Sequence, residues 1–556
     1  MEIFTFKQMN ILFLNLLILT FIPFYLFSQG NHSFYSTFTN ISSHPIKEHL
    51  QILADDSLEG RSVGTKGGNL AAQYISDQFS KFNLKGIPSG NSFYQNIPMH
   101  GSTTLNTSEM MLLSDRDTAY LNYSTDYFLY RSGQQTFLPT PIPLVFVGYG
   151  IVAPEYDYND YQSVNVEGKI VVYLDGEPYS EEKDYFDGES PTIYSYPESK
   201  RRIAIARGAS GTIQIPLTSF EDWNAVKKDF SFEDVTLAYS VSSNLSIIIN
   251  PNTAGRLFPG SKFTFDDIKK MHETKKIESF SLKTKLKFKG AFKERDFISP
   301  NVIGTVEGSD AELKNSYLII SAHYDHLGIG QAVKNDSIYN GALDNAIGVS
   351  VLLELAKAFS SLEIKPKRSI LFIATTGEEK GLLGSSYYTE NPVVPLYKTI
   401  ANVNIDGVAM FKDFESLVGI GAGLSTLDKW LISTAGTYNL SLENIPSQFK
   451  RFDAFNKSDQ LAFALAGIPS ILVLEGTKNK SKSKEEVTEA FIDYYLNYYH
   501  TPFDDLKHEI DCEAAARHAK ILFDLCFNLA NSKDAPEWRE GTQFINARLR
   551  SIAEKK

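Results

Sequence analysis

The residues richest in chemistry stand in the second half of this chain. They are His323 and Asp325 in SAHYDH, Asp344 in NGALDNA, Glu378 and Glu379 in TTGEEKG, Asp406 in NVNIDG and His500 in YYHTP. Most follow a short, apolar, β-branched run. An open α/β sheet collects its site outside the carboxyl ends of such strands. Two histidines and several carboxylates gathered there make a nitrogen/oxygen donor set suited to paired zinc ions.

Taken singly, most of these residues also have a plainer reading. His323 ends a strand, and Asp325 is placed to accept its second ring N–H; the same pair could also arise by accident on a surface. Asp344 stands where a helix begins, a position that favours Asp as a cap, though its two oxygens could also bridge two cations. Glu378 and Glu379 repel each other unless a positive charge lies between them. One can bind a cation while its neighbour takes a proton from an attacking water. Asp406 ends an apolar strand and His500 follows an aromatic run. It is the joint pattern, five segments each offering a ligand type at a strand end or loop, that points to one site.

The elements that must position them alternate regularly after Ser299. SYLIISAH, RSILFIATT, TIANVNID and IPSILVLE read as buried strands, and NAIGVSVLLELAKAF and LSTLDKWLISTAG as helices. This predicts an α/β fold with a mostly parallel, mixed sheet covered by helices on both faces. Upstream, Ala71, Ile75, Phe79 and Phe82 share one helical face. Between 138 and 288 short β-rich runs (PLVFVGYGIV, GKIVVYL, SGTIQIP, NLSIIINP) surround one helical piece, which predicts a smaller β-rich inserted domain. The larger domain then occupies 30–137 and 289–556. KNKSKSKEE after Gly476 reads as an exposed loop.

The chain of 556 residues exceeds one ordinary core. Its net charge of −12, without a basic run, argues against nucleic acid as a partner. Residues 1–29 read as a cleavable export leader, an apolar run from Met9 to Phe27 followed by Ser28-Gln29-Gly30, with an uncleaved membrane anchor as the alternative. Export to a periplasm or the exterior is expected, with no stable membrane insertion after cleavage. Cys512 and Cys526 fall on one predicted helix, Asp511 to Asn531, roughly 20 Å apart, too far for a disulfide.

In this order the motifs HYD, GALDNAIG, GEEKGLLGS, NIDG and YHTP resemble those of the co-catalytic di-zinc exopeptidases. That family includes bacterial leucyl aminopeptidases and aminopeptidase Y, with glutamate carboxypeptidase II and the transferrin receptor more distant. The resemblance runs from about His49 to the C-terminus and takes in LADDSLEGRSVGTKGG. The insert resembles a protease-associated domain in VFVGYGI, VEGKIVVYLDGEP and ARGASGTI. The resemblance implies two zinc ions per chain and a peptide substrate. One zinc would be held by His323 and Asp406, the other by Glu379 and His500, with Asp344 bridging. Glu378 would be the general base and then the acid, and Tyr499 would hydrogen-bond the oxyanion. Leu343, Ile347 and Gln460 depart from the family pattern; these departures and Asp459 are expected to bear on substrate choice. An aminopeptidase is the first expectation. A carboxypeptidase using Arg451 as its cation, a one-zinc glutaminyl cyclase and a non-catalytic receptor remain alternatives.

Overall fold

The protein is described by a computed structural model over residues 34–555, apart from 88–91, 116, 130–136, 179–184, 187–191, 218–222, 242–243, 447–448 and 450–452. The expected leader and Arg451 lie outside the described residues. Among the described residues no helix is long and apolar enough to cross a membrane.

The larger sheet has nine strands, in the order Asp234–Leu237, Tyr94–Thr104, Phe292–Val306, Ser369–Thr375, Tyr317–His323, Thr399–Asn404, Ser470–Glu475, Ser416–Ile420 and Ser441–Leu442. The four strands ending at Thr375, His323, Asn404 and Glu475 run parallel. The ladders that flank them, to Phe292–Val306 and Ser416–Ile420, are antiparallel. The sheet is therefore mixed with a parallel centre. The carboxyl ends of four neighbouring strands open onto one edge, and His323, Glu378, Glu379 and Asp406 follow from three of them.

Burial on both faces explains the near-continuous apolar strands. Leu318 and Ile320 point to a layer holding Ile46, Leu50, Val351, Leu355 and Phe523. Ile319, with Leu371 and Ile373, points the other way, against Tyr388 and Phe463. This is the period of two that a strand imposes. The predicted helices form at Lys66–Lys81, Ile347–Ser361, Leu427–Thr437 and Cys512–Asn531. Asp511 starts the last by accepting N–H bonds from Glu513 and Ala514. Both cysteines on it are free.

The second sheet differs from expectation in its extent. Its eight strands start at Glu109–Leu113 and end at Phe280–Lys289, so the change of sheet comes before 138. Met110, Leu112 and Leu121 turn into its core beside Phe146, Ile170 and Ile247, which is why these residues leave the larger sheet. Conversely, Asp234–Leu237, inside the expected insert, returns to pair antiparallel with Tyr94–Thr104. KNKSKSKEE is a loop only in its first part. Ser483 and Glu486 form a reciprocal capping box that starts the helix Lys484–Asn497.

Candidate metal centre

His323 is the last residue of its strand and is 1% exposed. Its Nδ1 lies 3.1 Å from the backbone carbonyl of Asp325. The expected carboxylate partner is thus corrected to a carbonyl. The Asp325 carboxylate instead accepts the Glu378 N–H at 3.2 Å, because the chain turns between 323 and 325 and aims that side chain under the glutamate turn. Either way the second ring nitrogen of His323 is engaged and Nε2 is left for the site.

That Nε2 lies 3.3 Å from Asp344 Oδ1 and 3.2 Å from Asp406 Oδ1. Across the cleft, His500 Nε2 lies 3.5 Å from Asp344 Oδ2 and 3.1 Å from Glu379 Oε2. Asp344 therefore turns one oxygen to each histidine. It is no helix cap: its φ of −112° and ψ of 90° place it in a distorted turn at Ala342–Ala346, ahead of the helix. Asp504 holds that turn by accepting the N–H groups of Leu343 and Asp344 at 2.9 and 3.0 Å.

The glutamate turn is tight. Gly377 and Gly381 take φ of +71° and +95°, values open to glycine without a Cβ penalty. Gly381 and Leu382 both donate to the Glu378 carbonyl. The turn sends Glu378 and Glu379 into the site together, and among the described residues three donor groupings lie within 4.8 Å. They are His323, Asp344 and Asp406; His323, Glu378 and Glu379; and His326, Asp344 and Glu379. Tyr499 stacks on His500, ring centroids 3.9 Å apart.

The charges are strongly interdependent. Burial raises the Glu378 carboxyl well above its usual range, and the Asp406 and Glu379 charges add to this against the His323 charge. Burial also opposes ionisation of Glu379, but His500 and His326 more than reverse it and hold that group well below the range. Burial pulls both site histidines down, yet the surrounding carboxylates win: His500 rises to about 10 through Glu379 and Asp344, and His323 rises through Glu378 and Asp406. Burial and nearby carboxylates push the Tyr499 hydroxyl well up, so it stays a hydrogen-bond donor. Several carboxylates held within about 3.5 Å of two histidines mark a place built for positive charge. A nitrogen and carboxylate-oxygen donor set of this kind fits zinc.

Other expectations need correction. Asp459 does not line the substrate pocket; it is fully buried and accepts bonds from Thr375 and Ser385, each at 2.5 Å. Gln460 is buried too, accepting from Asn404 and donating to the carbonyls of Ala454 and Phe455. Leu343 and Ile347 belong to the core. Four residues escaped the sequence reading. His326 contacts Glu379 at 2.7 Å. Arg61, 1% exposed, donates to the carbonyls of Tyr324, Leu53, Asn340 and Gly341. Asp504 and Glu475 hold backbone near the site. The sequence carries one faint signal for them, charged residues in otherwise apolar or glycine-rich turns.

Residues 301–526 match the family model described as Peptidase family M28. The chain is 29% identical over 214 residues to aminopeptidase YwaD of Bacillus subtilis, covering 38% of this chain and 40% of that protein. It is 31% identical over 163 residues to aminopeptidase NAALADL1 of Mus musculus, covering 25% and 20%. The chain therefore spans less than half the length of these two curated relatives. Among solved structures, an aminopeptidase from Aneurinibacillus sp. strain AM-1 superposes with a TM-score of 0.53 at 19% identity, covering 92% of this chain and 97% of that one. That likeness speaks for the fold.

Proposed function

We propose, for a chain whose residues 301–526 belong to peptidase family M28, an exported zinc-dependent aminopeptidase that removes N-terminal residues from peptides. The observation that carries this reading is Asp344, whose two oxygens face His323 and His500 separately, with Glu378 beside them. His323 and Asp406 would hold one zinc, Glu379 and His500 the other, and Asp344 would bridge. The aminopeptidase names of the relatives support the reaction class. The apolar run at Met9 to Phe27 supports export.

When bound, the cations would polarise the scissile carbonyl and lower the pKa of the attacking water. The residues of the chain supply the rest. Glu378 accepts the proton of that water at its carboxylate and passes it to the leaving amine. Tyr499 donates its hydroxyl to the oxyanion of the tetrahedral intermediate. Asp325, through its carbonyl on His323 and its carboxylate on the Glu378 N–H, keeps ligand and base in register.

The test is zinc analysis of the purified chain together with a panel of free and N-blocked aminoacyl and peptide substrates. About two zinc per chain, cleavage restricted to free N-termini and loss of activity to chelator are expected. A stable zinc-free protein would favour the receptor alternative and sink the enzyme. Cleavage from the C-terminus, or cyclisation with one zinc, would sink the aminopeptidase assignment.

A further inference from the structure

His326 is fully buried, with its ring enclosed by the Glu379 carboxylate, the His500 ring and the backbone at Gly341. Its Nδ1 lies 2.7 Å from Glu379 Oε1, while the other oxygen, Oε2, faces His500 Nε2 at 3.1 Å. The two oxygens of Glu379 are thus divided between two histidines. A separation of 2.7 Å is that of a charge-assisted hydrogen bond. Two donors sharing one tetrahedral zinc, at bond lengths of about 2.0–2.2 Å, would stand about 3.3 Å apart. His326 is therefore placed as an N–H donor to Glu379 and not as a fellow ligand through that contact.

The ring packs directly against the Gly341 backbone, where only a glycine leaves it space. Gly341 takes φ +60°, and a Cβ there would come within 2.4 Å of His326 Cγ. Among the described residues His326 Nε2 has no hydrogen-bond partner, so the side chain makes a single polar contact, and that contact is Glu379.

We propose that His326 is a positioning residue that holds Glu379 Oε1 and thereby leaves only Oε2 for the cation shared with His500. The inference rests on the two-zinc reading above. A carboxylate held at one oxygen loses its freedom to swing between one-oxygen and two-oxygen coordination. Such outer partners contribute about 10–100-fold to metal affinity.

The test is zinc titration of the metal-free full-length chain against a chromophoric competing chelator, for the wild type, His326→Asn and His326→Gln, with circular dichroism to confirm folding. An asparagine amide can reach the position of Nδ1; a glutamine amide reaches that of Nε2. One of the two zinc affinities should fall about 10–100-fold in His326→Gln, the other should hold, and His326→Asn should recover most of the loss. Two wild-type affinities in His326→Gln would overturn this inference while leaving the two-zinc reading intact. Fewer than two zinc in the wild type would overturn that reading itself, and this inference with it. If His326→Gln does not fold, His326→Leu, which likewise removes the donor to Glu379, takes its place: one weakened zinc affinity supports the role, and two wild-type affinities overturn it.

Discussion

Glu378 and Glu379 are neighbours of one chemical type that the protein drives to opposite protonation behaviour. Burial and the charge of Asp406 raise Glu378, whereas His500 and His326 hold Glu379 ionised despite its burial. Environments that separate the pKa values of two like groups separate their roles: the raised group suits proton transfer and the lowered one suits ligation. Glu378→Gln should therefore cut turnover by about 10²–10⁴-fold with zinc content unchanged, measured by steady-state kinetics beside metal analysis. A variant with near wild-type turnover, or one that has lost its zinc, would remove Glu378 from the role of base.

At the scale of elements, loops must hold the candidate ligands where strands stop. Arg61, at the end of the short 3-10 helix Asp56–Arg61, gathers the carbonyls of Leu53, Tyr324, Asn340 and Gly341. Burial lowers it to about 10, with Asp504 and Asp325 opposing, so it is cationic at neutral pH. Arg61→Ala would leave buried carbonyls unpaired and should destabilise the fold by about 3 kcal/mol or more. Arg61→Lys should restore only part, since an ammonium lacks the guanidinium fork. Thermal and urea denaturation would show it, and an unchanged midpoint would refute it. On the other side of the cleft Glu475 accepts the Met410 N–H at 2.5 Å and steadies the loop after Asp406. Burial raises its carboxyl from 4.5 to about 8. Between these two values the folded chain keeps a proton that the unfolded chain has released, so stability falls as pH rises. Glu475→Gln removes that proton linkage. The melting temperature of the variant should gain on that of the wild type from pH 5 to pH 8, and a constant difference would refute the assignment.

In the molecule as a whole, the second sheet is built between two strands of the first and is tied back to it. Glu233 and Arg295 form a paired salt bridge at 2.6 and 2.8 Å, and Arg295 also donates to the carbonyls of Val63 and Gly64. Tyr196, from the second sheet's side, joins Leu382, Leu424 and Phe455 in one apolar cluster, four residues from Glu378 along the chain at Leu382. Under the proposed aminopeptidase reading, a second sheet touching the chain beside the glutamate turn would act as a lid that restricts what enters. Short peptides should be trimmed from their N-termini while folded proteins stay intact, as read by mass spectrometry. Internal cuts in a folded protein would contradict this.

The central strands were legible because burial on both faces demands near-continuous Ile, Val and Leu, and few other elements share that pattern. The helix Cys512–Asn531 was legible from its apolar stripe. The histidines and carboxylates at strand ends were legible as candidates by type and position, and the structure brings them together. The limits of the second sheet were not, since EMMLL and TAYL read as strands without saying which sheet they join. Nor were His326, Arg61 and Asp504. Each is a single polar residue whose partner lies elsewhere in the chain: Arg61 meets Asn340 and Gly341, and Asp504 meets Leu343 and Asp344. Residue types and local periodicity therefore determined which donors this protein has and which elements carry them. Only the tertiary structure decided that one aspartate faces both histidines, and that a carbonyl rather than a carboxylate braces His323. Contacts between distant segments depend on backbone direction at each turn, and local sequence does not encode that.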